Sequence, residues 1–303
     1  MQPVSTRAWP RPRTVLRGLA LGALVGIPLA SSAPAGEGRL QLDYRAYFAG
    51  VHGANLGLTV KFDTAAYDSD AAAHDLRATA YAVQARLKTT GLAKVMRWKA
   101  TAYSRGTLLA GEVVPVRAGY RSRQWTRKRS VELGFDEGTP KLVRMKPRKK
   151  SKVPASRLKG ALDPAGAFLA VLSRMDADRV CELRIPVFDG RRLYELVGET
   201  DGDGVGRLQA GRYSPFAGPT VDCRVQLERK AGFKRKTGEA RRRGDTAMRL
   251  RMGRVFDEVP PVPVRFAADT RYGSAVLYLH RGSLTADGLK RELRPRHGRK
   301  RPR

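Results

Sequence analysis

Cys181-Glu-Leu-Arg-Ile-Pro-Val-Phe188, then Asp189-Gly190, then Arg191-Arg-Leu-Tyr-Glu-Leu-Val197 is the stretch that decides the fold. Asp-Gly between two apolar runs predicts a two-residue hairpin turn, because both turn positions need positive φ. That turn pairs Phe188 with Arg191, Ile185 with Tyr194, Arg184 with Glu195 and Leu183 with Leu196. Cys181, Leu183, Ile185, Val187, Tyr194 and Leu196 then share one face, and Glu182, Arg184, Arg191 and Glu195 the other. A register that separates a core face from a wet face is self-consistent.

Upstream, Asp163-Pro164 reads as a helix start, with Asp as cap and Pro at the first helical position. Ala165, Phe168, Leu169, Leu172 and Met175 continue it as one apolar helical face of about three turns. Downstream, Val221, Cys223, Val225 and Leu227 alternate with Asp222, Arg224, Gln226 and Glu228, which is a strand.

The rest of the chain repeats this strand-and-turn pattern. Strands are expected at Leu40 to Gly50, Ala54 to Phe62, Asp75 to Lys88, Val95 to Tyr103, Thr107 to Arg117 and Tyr120 to Arg129, with a turn at Ser104-Arg105-Gly106. Val131 to Phe135 carries on beyond Arg129, and Glu137-Gly138 turns the chain into a short strand at Lys141 to Met145. Glu199 to Pro219 reads as a Gly-rich loop. Thr246 to Phe256 alternates again, Pro260-Pro261-Val262-Pro263 suggests a sheet edge, and Val264 to Thr270 with Ser274 to His280 makes the last hairpin. Many short strands joined by turns, with one convincing helix, predict a mainly β protein. Its expected form is a curled antiparallel sheet, a half-barrel or open barrel, with the helix packed on the concave side.

The N-terminus predicts export. Arg7, Arg11, Arg13 and Arg17 precede an apolar run, Gly18 to Ala30, and Ala33-Pro34-Ala35 supplies a small-x-small cleavage pattern. Residues 1–35 therefore read as a signal peptide, with an uncut membrane anchor as the alternative. Residues 36–280 read as a single half-barrel domain and 281–303 as a disordered basic tail. Export places the chain in an oxidising compartment, where Cys181 and Cys223 are expected to bond to each other. Two separate buried thiols are the other reading.

The formal net charge is +31, and it is concentrated. Residues 117–129 carry six basic and no acidic side chains, and residues 141–159 carry nine and none. Such segments are either solvated loops or surfaces for polyanions: lipid headgroups, lipopolysaccharide or other acidic polymers. Arg121, Arg123, Trp125, Arg127 and Arg129 fall on one alternate face of the strand expected at Tyr120 to Arg129. They suit an anionic headgroup or a stacked ring, and a solvated strand face explains them as well. Asp189, Arg191 and Arg192 are a hairpin end that would also suit an anion. An exported chain seldom meets nucleic acid, so that partner is not expected.

Chemistry is harder to find. His52, His74, His280 and His297 lack metal-ligand spacing. Asp201-Gly-Asp203-Gly begins like a calcium loop, but its twelfth position is Arg212 rather than Glu. No phosphate-binding Gly loop or nucleophile elbow appears. The expectation is no cofactor, no metal and no catalytic group.

Val131-Glu-Leu-Gly-Phe135-Asp-Glu-Gly138, Leu162-Asp163-Pro164, Val187-Phe-Asp-Gly-Arg-Arg192 with Tyr194, and Cys223 through Ala231-Gly232-Phe233 resemble an exported bacterial family, domain of unknown function 3108. The segments Val262-Pro-Val264 and Leu277-Tyr278-Leu279 fit it too. The resemblance implies the periplasm of a Gram-negative bacterium and a sheet similar to that of the periplasmic lipoprotein carriers. It carries over no catalytic residue. The function expected is a non-enzymatic envelope protein holding a hydrophobic or amphipathic, lipid-like ligand in the curl of the sheet. The alternatives are an adaptor or assembly factor that binds acidic polymer or a partner protein through basic loops, and, third, an enzyme.

Overall fold

A computed structural model describes residues 37–63, 79–149, 151–174, 181–233, 247–270 and 273–295. The segment expected to be a signal peptide, residues 1–35, lies outside them. A first meander comprises β1 (Glu37–Phe48), β2 (Val51–Asp63), β3 (Thr79–Thr89), β4 (Trp98–Leu109), β5 (Glu112–Gln124), β6 (Arg127–Asp136) and β7 (Thr139–Lys146). The helix α1 (Pro164–Ser173) leads to a second: β8 (Leu183–Phe188), β9 (Leu193–Leu208), β10 (Gly218–Ala231), β11 (Ala247–Gly253), β12 (Val262–Thr270) and β13 (Gly273–Ala286). β14 (Leu289–Leu293) then turns back onto β13.

The two meanders join through an antiparallel β1–β13 ladder, so one sheet runs from edge strand β7 to edge strand β8. In β1 the period-two pattern buries Leu40, Leu42, Tyr44 and Ala46, exposes Gln41 and Asp43 and leaves Arg45 half-buried. This is the expected class: a curled antiparallel sheet with one short helix on its concave side. It comes close to being a barrel.

No ladder joins β7 to β8 among the described residues. The chain itself crosses that seam. The Leu162 amide donates to the Pro186 carbonyl at 2.8 Å, and the Phe188 amide donates to the Leu162 carbonyl at 2.8 Å. The Gly160 amide reaches the Gly138 carbonyl at 3.0 Å, in the β6–β7 turn. Val131, Leu133, Leu158, Ala161, Phe188 and Leu193 fill the gap as a small second core.

Several local expectations are corrected. The β8–β9 hairpin pairs Val187 with Tyr194 and Ile185 with Leu196, two positions from the expected register. The Asp189 carboxylate accepts the amides of Arg191 (3.0 Å) and Arg192 (2.7 Å), holding a four-residue loop rather than a two-residue turn. A shift of two preserves the faces, so the core side was assigned correctly. Gly190 sits at φ +85°, and a Cβ there would lie 2.5 Å from Val131 Cγ1. Gly190→Ala is therefore expected to cost about 1–3 kcal/mol in denaturant unfolding; an unchanged midpoint would show that the loop relaxes.

Ser104-Arg105-Gly106 is continuous strand within β4, opposite a bulge at Val116 of β5, and not a turn; the real turn is at Ala110-Gly111. Gly106 is needed there because a Cβ would stand 2.1 Å from the Val114 carbonyl oxygen. Tyr120 to Arg129 is not one strand: the chain turns after Gln124, with Trp125 at φ +56°. The Gly-rich stretch from Glu199 is largely strand, since β9 continues to Leu208. Pro263 lies in an internal strand, at a bulge opposite Met252, and not at a sheet edge.

The domain boundary at residue 280 is also corrected. β13 runs on to Ala286 and β14 follows, with Leu284 fully buried and Leu293 packed against the main core. A mixed Arg/Glu sequence hid this strand, because its apolar positions are few. Residues 296–303 lie outside the described residues.

Cys181 and Cys223 are disulfide-bonded, with Cα atoms 5.3 Å apart. The bond ties the start of β8 to β10 across β9, which lies between them. Gly198 on β9 makes room: a Cβ there would fall 2.4 Å from the Cys181 carbonyl oxygen.

Candidate functional site

The helix enters the curl with its N-terminus fixed by Asp163. One carboxylate oxygen accepts the amides of Ala165 (2.9 Å) and Gly166 (3.0 Å), closing two of the free donors of the first turn. The other accepts the Ser104 hydroxyl at 2.7 Å, and Ser104 in turn meets the Tyr81 hydroxyl at 3.1 Å. All three are buried. Burial pushes the Asp163 carboxyl above the ordinary carboxylate range, against the pull of the Gly166 amide, the Ser104 hydroxyl and the Ala165 amide. Burial likewise pushes the Tyr81 phenol up. Gly166 keeps the helix close, since a Cβ there would lie 2.7 Å from Asp163 Oδ2.

Around this anchor lie two cavities with almost wholly apolar walls. One of about 370 Å³ is bounded by Val83, Phe168, Val171, Met248, Phe266 and Leu277 among others. Tyr44 also lines it; its hydroxyl is buried and has no hydrogen-bond partner among the described residues, and burial pushes its phenol up. The second, about 270 Å³, extends past Leu87, Tyr120, Val131 and Leu133 to Asp189. Leu56, Ala85, Ala102, Pro164 and Ala165 line both, so the N-terminal turn of α1 stands where they meet.

A third, smaller cavity of about 110 Å³ adjoins the second through Tyr120, Val131 and Asp189. Its other walls include Arg129, Lys146, Lys149, Arg191 and Arg192. An apolar interior thus gives onto a strongly cationic opening. Chemically the arrangement can desolvate a hydrocarbon and pair an anion beside it.

The structure divides the residues singled out from the sequence. Asp189, Arg191 and Arg192 come together at the cationic opening, with Arg129. Arg121 and Arg123 line an adjoining groove of about 510 Å³ with Lys99, Lys128 and Arg144, which shares Arg129 and Lys146 with that opening. The hairpin explains the split. Tyr120 pairs with Val131 and turns toward the lumen, so Arg121 and Arg123 turn away from it. Arg127 pairs with Gln124, and Trp125 is at the exposed tip. Ser104 was missed because its segment reads as a turn, and Lys146 and Lys149 because theirs reads as a linker. Asp201 accepts Arg224 at 2.8 Å, within the sheet. Among the described residues no group of three or more His, Cys, Asp or Glu side chains is placed to hold a metal ion.

The sequence matches the family described as Protein of unknown function (DUF3108) over residues 43–280. No curated protein matches. Among solved structures, a crystal structure of a beta-barrel-like protein of domain of unknown function DUF1849 from Brucella abortus is similar, at 10% sequence identity and a TM-score of 0.42. That likeness covers 82% of this chain and 98% of the other.

Proposed function

Since the chain belongs to the DUF3108 family, whose function is unknown, we propose a function from the lumen itself: a non-enzymatic binder of a lipid-like ligand in the cell envelope. The observation that carries this reading is the pair of adjoining apolar cavities beside α1. The larger, about 370 Å³, falls within the roughly 300–1,000 Å³ of small-molecule sites. An apolar chain would lie along Phe168, Met248 and Leu277. An anionic or polar head would meet Arg129, Arg191 and Arg192. The N-terminal leader pattern and the disulfide support a periplasmic setting, as the same pair of features would for any exported chain.

Native mass spectrometry after gentle purification is expected to find lipid-sized mass bound to the full chain. Ala102→Phe, which places a ring in the space common to both cavities, should lose most of it while still folding. Consistently ligand-free wild-type protein would defeat the proposal. The groove containing Arg121, Arg123 and Arg144 favours a second reading, an adaptor for an acidic polymer. That reading requires binding that falls steeply with salt, whereas burial of a chain in the lumen is nearly indifferent to it.

A further inference from the structure

We propose that one end of the barrel docks on an anionic membrane surface. Antiparallel ladders alternate direction, so the β1–β2 turn, the segment Gly91–Met96 between β3 and β4, the β5–β6 turn and the β8–β9 loop all lie at the same end. Phe48, Val51, Val95, Trp98 and Trp125 are exposed there, Val95 at 69% and Trp125 at 55%. Those turns and their flanks also carry Lys94, Arg97, Lys99, Arg127, Lys128 and Arg191. Two carboxylates flank the described turns of this end, and both are engaged locally: Asp189 by the amides of its own loop, and Asp269, beside the β12–β13 turn, by the Ser274 hydroxyl at 2.6 Å. The opposite end is of mixed sign: its turns and their flanks carry Glu112, Asp136, Glu137, Asp257, Glu258 and Asp287 beside Lys141, Arg207, Arg212, Arg254 and Lys290.

The apolar side chains decide between a membrane and a soluble polyanion. A dissolved acidic polymer rewards positive charge and gains nothing from exposed indoles or a bare valine. A bilayer interface rewards both, because Trp partitions to the headgroup level while Lys and Arg pair with anionic lipids. Local structure holds the groups in place. Arg97 (φ +42°) and Trp125 (φ +56°) occupy left-handed backbone, which fixes sharp turns. The Trp98 amide donates to Thr89 Oγ1 at 3.1 Å, locking the loop that bears Val95. The cationic opening beside Asp189 is at this end, so docking would set it against the headgroups.

The test is co-sedimentation of the full chain with phosphatidylcholine vesicles, with and without phosphatidylglycerol. Binding is expected only with the anionic lipid. Arg127→Glu with Lys128→Glu should weaken it at least about tenfold, on the scale of attraction per basic residue at such a surface. Val95→Ser with Trp125→Ser, at unchanged charge, should weaken it several-fold. Arg207→Glu with Lys290→Glu makes the same charge change at the far end, beyond a Debye length of about 10 Å, and should alter binding less than about twofold. Thermal unfolding of each variant confirms that these exposed substitutions leave the fold intact. Equal losses from the two charge pairs would overturn the proposal in favour of attraction by net charge alone. Full binding by the Val95/Trp125 variant, with soluble polyglutamate displacing the vesicles, would overturn it in favour of a polyanion surface. The measurement does not depend on what fills the lumen.

Discussion

A Cys223→Ser variant is expected to unfold with about 3–4 kcal/mol less stability than wild type under oxidising conditions, a gap that shrinks when both are reduced. The bond closes a loop with a sequence separation of 42, for which chain entropy gives roughly 4 kcal/mol. Its position adds weight. Among the described residues β8 is an edge strand with one ladder, to β9, supplemented by the bridge to Leu162. Releasing Cys181 frees the start of that strand beside the seam. Denaturant melts with and without reductant measure both states. Equal stability of the two proteins under oxidising conditions would mean that the sheet holds β8 without help.

Asp163→Ala is the second substitution with a large expected effect, about 2–4 kcal/mol. It removes the cap of α1, which contributes about 0.5–2 kcal/mol. It also strips the Ser104 hydroxyl of its acceptor in a buried site, which costs about 1–3 kcal/mol. Asp163→Asn separates charge from hydrogen bonding, because an amide oxygen can still accept from Ala165 and Gly166. The folded carboxyl is raised from its ordinary 3.8, chiefly by burial. Its stabilising contribution is therefore full below that ordinary value and is lost as pH rises through the elevated folded value. Wild type should lose stability relative to Asp163→Asn over that interval, read from melts between acid and neutral pH. Parallel curves for the two proteins would show that the carboxyl does not titrate there.

Much of this fold is legible in the chain because its faces alternate so regularly. Val221, Cys223 and Val225 on β10, and Leu183, Ile185 and Val187 on β8, declare a core side whatever the register. The Asp163-Pro164 helix start is equally local, and the cap bonds are those expected of Asp at that position. Register is different, because it depends on what a turn residue's side chain does. Asp189 accepting two amides of its own loop leaves no mark beyond the same Asp-Gly pair that marks a tighter turn. Glycine misleads for a related reason. At Gly106 it serves close approach of another backbone, not chain reversal, and only the neighbouring strand reveals that.

The candidate site was less legible. Its apolar walls come from residues such as Leu56, Ala102, Phe168 and Met248, far apart in sequence and unremarkable in each segment. Arg191 and Arg192 stand out in the chain, but Lys146 and Lys149, which face the same opening, sit in a run that reads as linker. The expected stripe from Arg121 to Arg129 failed because a period of two was followed through a turn. Trp125 has left-handed backbone there, a conformation a non-glycine residue does not advertise.

The ladder between β1 and β13 has a consequence for how such a chain comes to be folded. Each meander can form from contacts between neighbours in sequence, but the first strand's second partner is the next to last one. During synthesis Leu40, Leu42 and Tyr44 must wait, one edge of their strand unpaired, until more than two hundred further residues have been made. Closure of so long a loop is slow, and an unpaired apolar strand is prone to pair with another copy meanwhile. Assembly is thus ordered in time: two local halves first, their union last, with the nascent chain dependent on being kept apart from its neighbours until its end is released.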